Sequence, residues 1–123
     1  MKIQRILIVE DQGITAFDVS QIVTSLGYQV TGIAMTGEDA ILQADLNKPD
    51  LILMDIKLAG AMDGREAAAK IQDKYQIPVI FVTAYGCKQA SKSVKTIRPE
   101  GIGYIVKPIT DNELVSEINR LIG

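Results

Sequence analysis

Carboxylates occupy unusual places in this chain of 123 residues. Glu10 and Asp11 follow the apolar run Arg5–Val9 without a break, and Asp55 follows Leu51–Met54 in the same way. Thr83 and Ala84 end a further run, Val79–Val82, and Lys107-Pro108 ends another, Gly103–Val106. If these runs lie side by side and point the same way, three carboxylates, a hydroxyl and an ammonium meet at one border. Carboxylates crowded into a partly dehydrated crevice repel one another. A divalent cation that prefers oxygen relieves that repulsion, and a shallow site with few protein ligands and several waters suits Mg²⁺. Asp55 is then placed as a nucleophile that accepts a phosphoryl group, as aspartates do in covalent phosphoenzymes. Lys107 balances part of the charge and can hold a phosphoryl oxygen, while the Thr83 hydroxyl and the Ala84 backbone can donate hydrogen bonds.

Composition narrows the chemistry further. There is no histidine, so imidazole is excluded as base, metal ligand or phosphoryl carrier, and a phosphohistidine donor must act from another molecule. The formal net charge of −2 offers no basic footprint for nucleic acid. A lone cysteine, Cys87, cannot pair within the chain and fits a reducing compartment. The first apolar run is too short for a signal peptide or a membrane span. A soluble cytoplasmic protein is the expectation.

Five short apolar runs, the four above and Tyr28–Ala34, have the Ile- and Val-rich character of strands. Three of them are apolar almost throughout, as strands covered on both faces are. Between them lie helical patterns. Ile14, Phe17, Ile22, Val23 and Leu26 read as a core-facing stripe closed by Gly27. Glu38–Leu46 carries Ala40, Ile41 and Ala44, and Asp63–Tyr75 carries Ala67, Ala68 and Ile71. A fourth helix over 88–97 is sparsely apolar, and a fifth over Asn112–Ile122 takes Asp111 as its N-cap. Strand and helix thus alternate five times. This order predicts an α/β fold with a doubly wound five-stranded parallel sheet and helices on both faces, as one domain over residues 1–123. In such a sheet the site lies at the carboxyl ends of the strands, near the reversal of strand order. The strands end in acids because their ends are the site.

The set ILIVEDQ, LILMDIKLAGAMDG, VIFVTA and GYIVKPI resembles the receiver domain of bacterial-type response regulators over essentially the whole chain. The resemblance implies a flavodoxin-like fold with Asp55 as phosphoacceptor. Glu10, Asp11, Asp55 and the backbone carbonyl of Lys57 would be the Mg²⁺ ligands. Thr83, Ala84 and Lys107 would hold the phosphoryl group, Tyr104 would be an aromatic switch, and the Lys107-Pro108 bond would be cis. It also implies a histidine kinase or histidine phosphotransfer protein as donor and slow self-dephosphorylation, its rate tuned by Lys57 and Tyr85. Output partners or a second copy would bind on a face made by the fourth helix, fifth strand and fifth helix. Two departures from the family pattern stand out. LAGAMDG replaces the usual Met-Pro pair and is one residue longer, and Pro99 falls where a helix-compatible residue is more common.

Two other classes compete. A Mg²⁺-dependent phosphatase with an aspartyl nucleophile usually carries a second aspartate two residues later, where this chain has Lys57. A phosphorylation-independent binding module on the same fold would normally have lost an acid or the lysine, and all are present. A flavin module lacks its phosphate loop here. Ordinary roles are expected elsewhere: a turn residue for Asp50, a cap for Asp63, and surface groups for Ser91 and Ser93.

Overall fold

The computed structural model describes residues 4–58, 60–83 and 101–122. Strands β1 (Arg5–Val9), β2 (Gln29–Ala34), β3 (Leu51–Asp55), β4 (Val79–Thr83) and β5 (Ile102–Val106) alternate with helices α1 (Gly13–Ser25), α2 (Gly37–Asn47) and α3 (Gly64–Tyr75). A C-terminal helix (Asp111–Ile122) follows β5. All strand pairs are parallel, in the order β2-β1-β3-β4-β5. The helix expected over 88–97, with Ala84, Tyr85, Cys87, Ser91, Ser93 and Pro99, lies outside the described residues.

Successive strand side chains point to opposite faces, and here the alternation divides the core in two. Leu7, Val9, Ile52, Met54, Val79 and Phe81 face a layer with Ala40, Ala44, Ala67, Ala68 and Ile71 of α2 and α3. Ile6, Ile8, Leu51, Leu53, Ile80 and Val82 face Val19 and Val23 of α1 and Leu114 and Ile118 of the C-terminal helix. β3 and β4 are buried throughout their length, which explains their unbroken apolar sequence. Small alanines on α2 and α3, Ala40, Ala44, Ala67 and Ala68, let those helices approach the sheet closely, and all four are fully buried.

Side chains and left-handed residues set the helix ends. Thr36 accepts from the Asp39 N–H at 3.0 Å and Asp63 from the Glu66 N–H at 3.0 Å, each satisfying an N-terminal donor that the helix itself leaves open. Gly27 takes φ +95 after α1, the conformation that glycine adopts without penalty. Asp50 accepts from the Arg5 N–H at 2.8 Å and so ties the approach to β3 to the start of β1.

Two expectations are corrected. The C-terminal helix is capped by Thr110, not Asp111: Thr110 Oγ1 accepts from the Glu113 N–H at 3.3 Å and lies 3.2 Å from Glu113 Oε1. Thr110 outranks Asp111 because its hydroxyl accepts the open Glu113 N–H while donating to the Glu113 carboxylate. On α1, Ile14 and Phe17 are 81% and 60% exposed, and the buried face is Ala16, Val19 and Val23. Ile22, Val23 and Leu26 of the expected stripe do pack on the core, but apolar residues surround much of this helix, so spacing alone also admitted Ile14 and Phe17.

Candidate functional site

The site lies where the strand order reverses, beyond the carboxyl ends of β1 and β3. Backbone hydrogen bonds place its residues. The Glu10 N–H donates to the Ala34 carbonyl at 2.9 Å, fixing the turn out of β1 against the end of β2. The Lys107 N–H donates to the Thr83 carbonyl at 2.8 Å, so these two residues sit together although 24 positions separate them in the sequence. Asp55 and Thr83 are the last residues of their strands, one position further than the apolar runs alone suggest. The Lys107-Pro108 bond is cis.

Side chains converge from there. Oxygens of Glu10, Asp11 and Asp55 all lie within 4.8 Å of one another. Lys107 Nζ lies 3.1 Å from Glu10 Oε2 and 3.5 Å from Asp55 Oδ2. The Lys57 N–H donates to Asp55 Oδ1 at 3.3 Å, and the Gln12 N–H donates to Glu10 Oε1 at 3.1 Å. Glu10, Asp55 and Thr83 are buried, while Asp11 is half-buried. A cavity of about 230 Å³ is lined by Asp11, Gln12, Asp55, Ile56, Lys57, Thr83 and Lys107. Burial opposes the charge of Lys107, but its hydrogen bond to Glu10 and the neighbouring Asp55 and Glu10 carboxylates outweigh it, holding its pKa above the ordinary lysine value. An all-oxygen donor set with more acids than bases fits a hard divalent cation such as Mg²⁺.

The loop from β3 to α3 is held close to this cluster. The Gly64 N–H donates to the Ile56 carbonyl at 2.8 Å. A Cβ on Gly64 would stand 2.0 Å from the Asp55 carbonyl oxygen, so no larger residue fits this approach. Met62 fills a notch at Gly37 on α2, where a Cβ would meet its Cγ at 2.9 Å, and Gly60 takes φ +94. Met62 and Gly64 thus hold the C-terminal half of the unusual LAGAMDG stretch.

Thr83 and Tyr104 share a sheet face with Phe81 between them. The Tyr104 ring stacks on Phe81 at 5.7 Å between centroids and remains 36% exposed. Burial raises the Tyr104 phenol above its ordinary value. Behind it, Glu117 Oε2 accepts from the Tyr104 N–H at 3.0 Å and Arg120 Nη2 donates to the Ile102 carbonyl at 2.8 Å. This pair crosses Gly103, where a Cβ would stand 2.5 Å from Glu117 Oε2.

Of the residues singled out in the sequence, Glu10, Asp11, Asp55, Lys57, Thr83 and Lys107 come together, and Tyr104 lies apart on β5. Ala84 lies outside the described residues. Sequence reasoning passed over Gln12, which adjoins the acidic pair, and Gly64, whose signal was a glycine directly after the Asp63 cap.

Comparison with known proteins agrees with this geometry. The family described as "Response regulator receiver domain" matches residues 6–119. The chain is 34% identical over 116 residues to the transcriptional regulatory protein PdtaR of Mycobacterium tuberculosis (strain ATCC 25618 / H37Rv), covering 94% of this chain and 55% of that one. It is 34% identical over 116 residues to the phyllosphere-induced regulator PhyR of Methylorubrum extorquens, covering 94% and 42%. The chain therefore spans about half the length of these curated relatives. Among solved structures, the signal receiver domain of a modulated diguanylate cyclase from Desulfovibrio desulfuricans G20 matches with a TM-score of 0.89 and 35% identity, covering 98% of this chain and 94% of that one.

Proposed function

Because this chain belongs to the response regulator receiver domain family, we propose that it accepts a phosphoryl group on Asp55 from a partner's phosphohistidine in a Mg²⁺-dependent reaction. The observation that carries this reading is the convergence of Glu10, Asp11, Asp55 and Lys107 at the carboxyl border of the sheet. One Asp55 carboxylate oxygen forms the new O–P bond as the N–P bond of the donor breaks, and the imidazole leaves with that electron pair. The chain's own residues orient and balance charge. The Lys57 N–H holds Asp55 Oδ1, which leaves Oδ2, on the Lys107 side, to attack. The Lys107 ammonium meets the anionic phosphoryl oxygens, and the Thr83 hydroxyl donates to them. Glu10, Asp11, Asp55 and the Lys57 carbonyl would hold Mg²⁺, which supplies charge stabilisation to the phosphoryl group.

Access for a protein donor is supported by α1. The helix exposes Ile14 and Phe17, and a groove of about 480 Å³ is lined by its Thr15, Asp18, Val19 and Ile22 with Lys107, Pro108 and Ile109. Readout follows from the added charge, roughly −1.5 to −2, which draws the Thr83 hydroxyl towards the phosphoryl group. Tyr104, sharing that face through Phe81, turns inward and changes the surface around β5 and the C-terminal helix, where a partner or a second copy binds. Among the described residues no helix is long and apolar enough to cross a membrane, and we place the protein in the cytoplasm.

Incubation with acetyl phosphate and Mg²⁺ tests the core of this reading. Intact mass should rise by one phosphoryl group in the wild type and not in Asp55→Asn. Labelling that survives in the variant refutes the assignment.

A further inference from the structure

Gln12 occupies the N-cap position of α1, yet its side chain makes no capping hydrogen bond. Glutamine is not among the residues that cap well, so helix initiation does not explain it. Its position is nonetheless fixed, because its N–H donates to Glu10 Oε1 at 3.1 Å. The side chain lines the Asp55 cavity. Its Oε1 lies 3.5 Å from the Thr15 hydroxyl, and Thr15 lines the neighbouring groove beside Lys107 and Ile109. Gln12 therefore stands on the wall between the groove and the cavity, with its carbonyl end turned to α1 and its amino end available to an anion that enters.

We propose that the Gln12 carboxamide donates a hydrogen bond to a phosphoryl oxygen during transfer to Asp55, which makes Gln12 a catalytic residue of that step. The inference rests on Asp55 being the phosphoacceptor. In the step the Asp55 oxygen gains the bond to phosphorus and the donor's leaving atom keeps the electron pair of the broken bond. Gln12 changes no protonation state and lends only its N–H to charge on the transferring group. Its neutrality matters, since a carboxylate there would repel the phosphoryl oxygens and a second cation would compete with Lys107 for the acids.

The test uses two small donors with different leaving groups, acetyl phosphate and phosphoramidate, each with Mg²⁺ and with phosphorylation rate followed by intact mass. Gln12→Ala and Gln12→Met, the latter of similar length without an N–H, should both be slower by about tenfold with either donor, as expected for one hydrogen bond to a charged group. Melting temperature and Mg²⁺ affinity should stay at wild-type values, because the side chain neither caps α1 nor lies in the acidic cluster. Rates within about twofold of wild type, below the worth of such a bond, overturn the proposal. So does a Gln12→Met variant as fast as wild type, which would assign the effect to side-chain bulk, or a slowing matched by an equal loss of Mg²⁺ affinity. A wild type that takes no phosphoryl group on Asp55 from either donor overturns the underlying reading instead, and the proposal with it.

Discussion

Replacing Gly64 by alanine should cost this protein more than any other single methyl group placed near the site. The new Cβ would stand 2.0 Å from the Asp55 carbonyl oxygen and 2.9 Å from its carbonyl carbon. Ordinary contact needs about 3.5 Å, so one partner must retreat by well over an ångström. β3 cannot retreat, because it is paired with β1 on one side and β4 on the other. The start of α3 must move, and with it goes the 2.8 Å bond from the Gly64 N–H to the Ile56 carbonyl. Overpacking of this kind costs about 1–3 kcal/mol and the lost hydrogen bond about 1 kcal/mol more. A total of about 2–4 kcal/mol corresponds to a fall of roughly 10 °C in Tm for a domain of this size. Gly13→Ala is the matched control: it begins α1 at the same border, and a Cβ there meets nothing within 4 Å. That variant should melt at or slightly above the wild-type temperature, since alanine is favoured over glycine in helices. Thermal melts followed by far-ultraviolet circular dichroism give both numbers. A Gly64→Ala protein that melts with Gly13→Ala would refute the packing argument.

Three further outcomes are expected. Asp11→Ala should weaken Mg²⁺ binding and slow phosphorylation of Asp55, while the metal-free protein melts no lower than wild type because one of three crowded carboxylates is gone; unchanged Mg²⁺ titrations would contradict the acidic-cluster reading. Thr110→Ala removes the cap of the C-terminal helix and should cost about 1 kcal/mol in urea unfolding, whereas Asp111→Ala should cost less. Hydrogen bonds from Arg120, outweighing burial, hold Glu117 below its ordinary value of 4.5. A depressed folded pKa contributes stability above the unfolded pKa and loses it as pH falls through the folded one. The stability advantage of wild type over Glu117→Gln should therefore be full at neutral pH and shrink below about pH 4.5, and urea titrations showing a constant difference would disprove the coupling.

The fold was legible because its signals were redundant. β3 and β4 could be read from unbroken apolar runs, and the alanines of α2 and α3 from their helical spacing. The site was legible for a related reason: a strand buried on both faces tolerates acids only where it ends, so Glu10, Asp11 and Asp55 marked the border themselves. α1 misled because Ile14 and Phe17 have the spacing of core residues but face outward, and hydropathy cannot separate a surface kept apolar from a stripe that is buried. Thr110 was missed because Asp111 is also a good cap, and only the reciprocal contact with Glu113 decides between them. Gln12 gave no signal of its own, and the glycine after the Asp63 cap was the only hint of Gly64, since close backbone approach and cavity walls arise from chain segments distant in sequence.

The Glu117–Arg120 pair has a consequence for how this sheet meets other molecules. β5 is its last strand, and the Tyr104 N–H and Ile102 carbonyl point away from β4, where an additional strand from another chain would bind. An exposed row of such groups invites sheet extension and aggregation. Here a carboxylate and a guanidinium occupy those positions at 3.0 and 2.8 Å, acting as a two-residue substitute for the absent neighbour. The glycine at 103 gives the substitute room to lie flat. A second molecule arriving on this side therefore meets the Tyr104 and Val106 side chains, both partly exposed. Pairing a further strand along β5 would first have to displace both of these side chains.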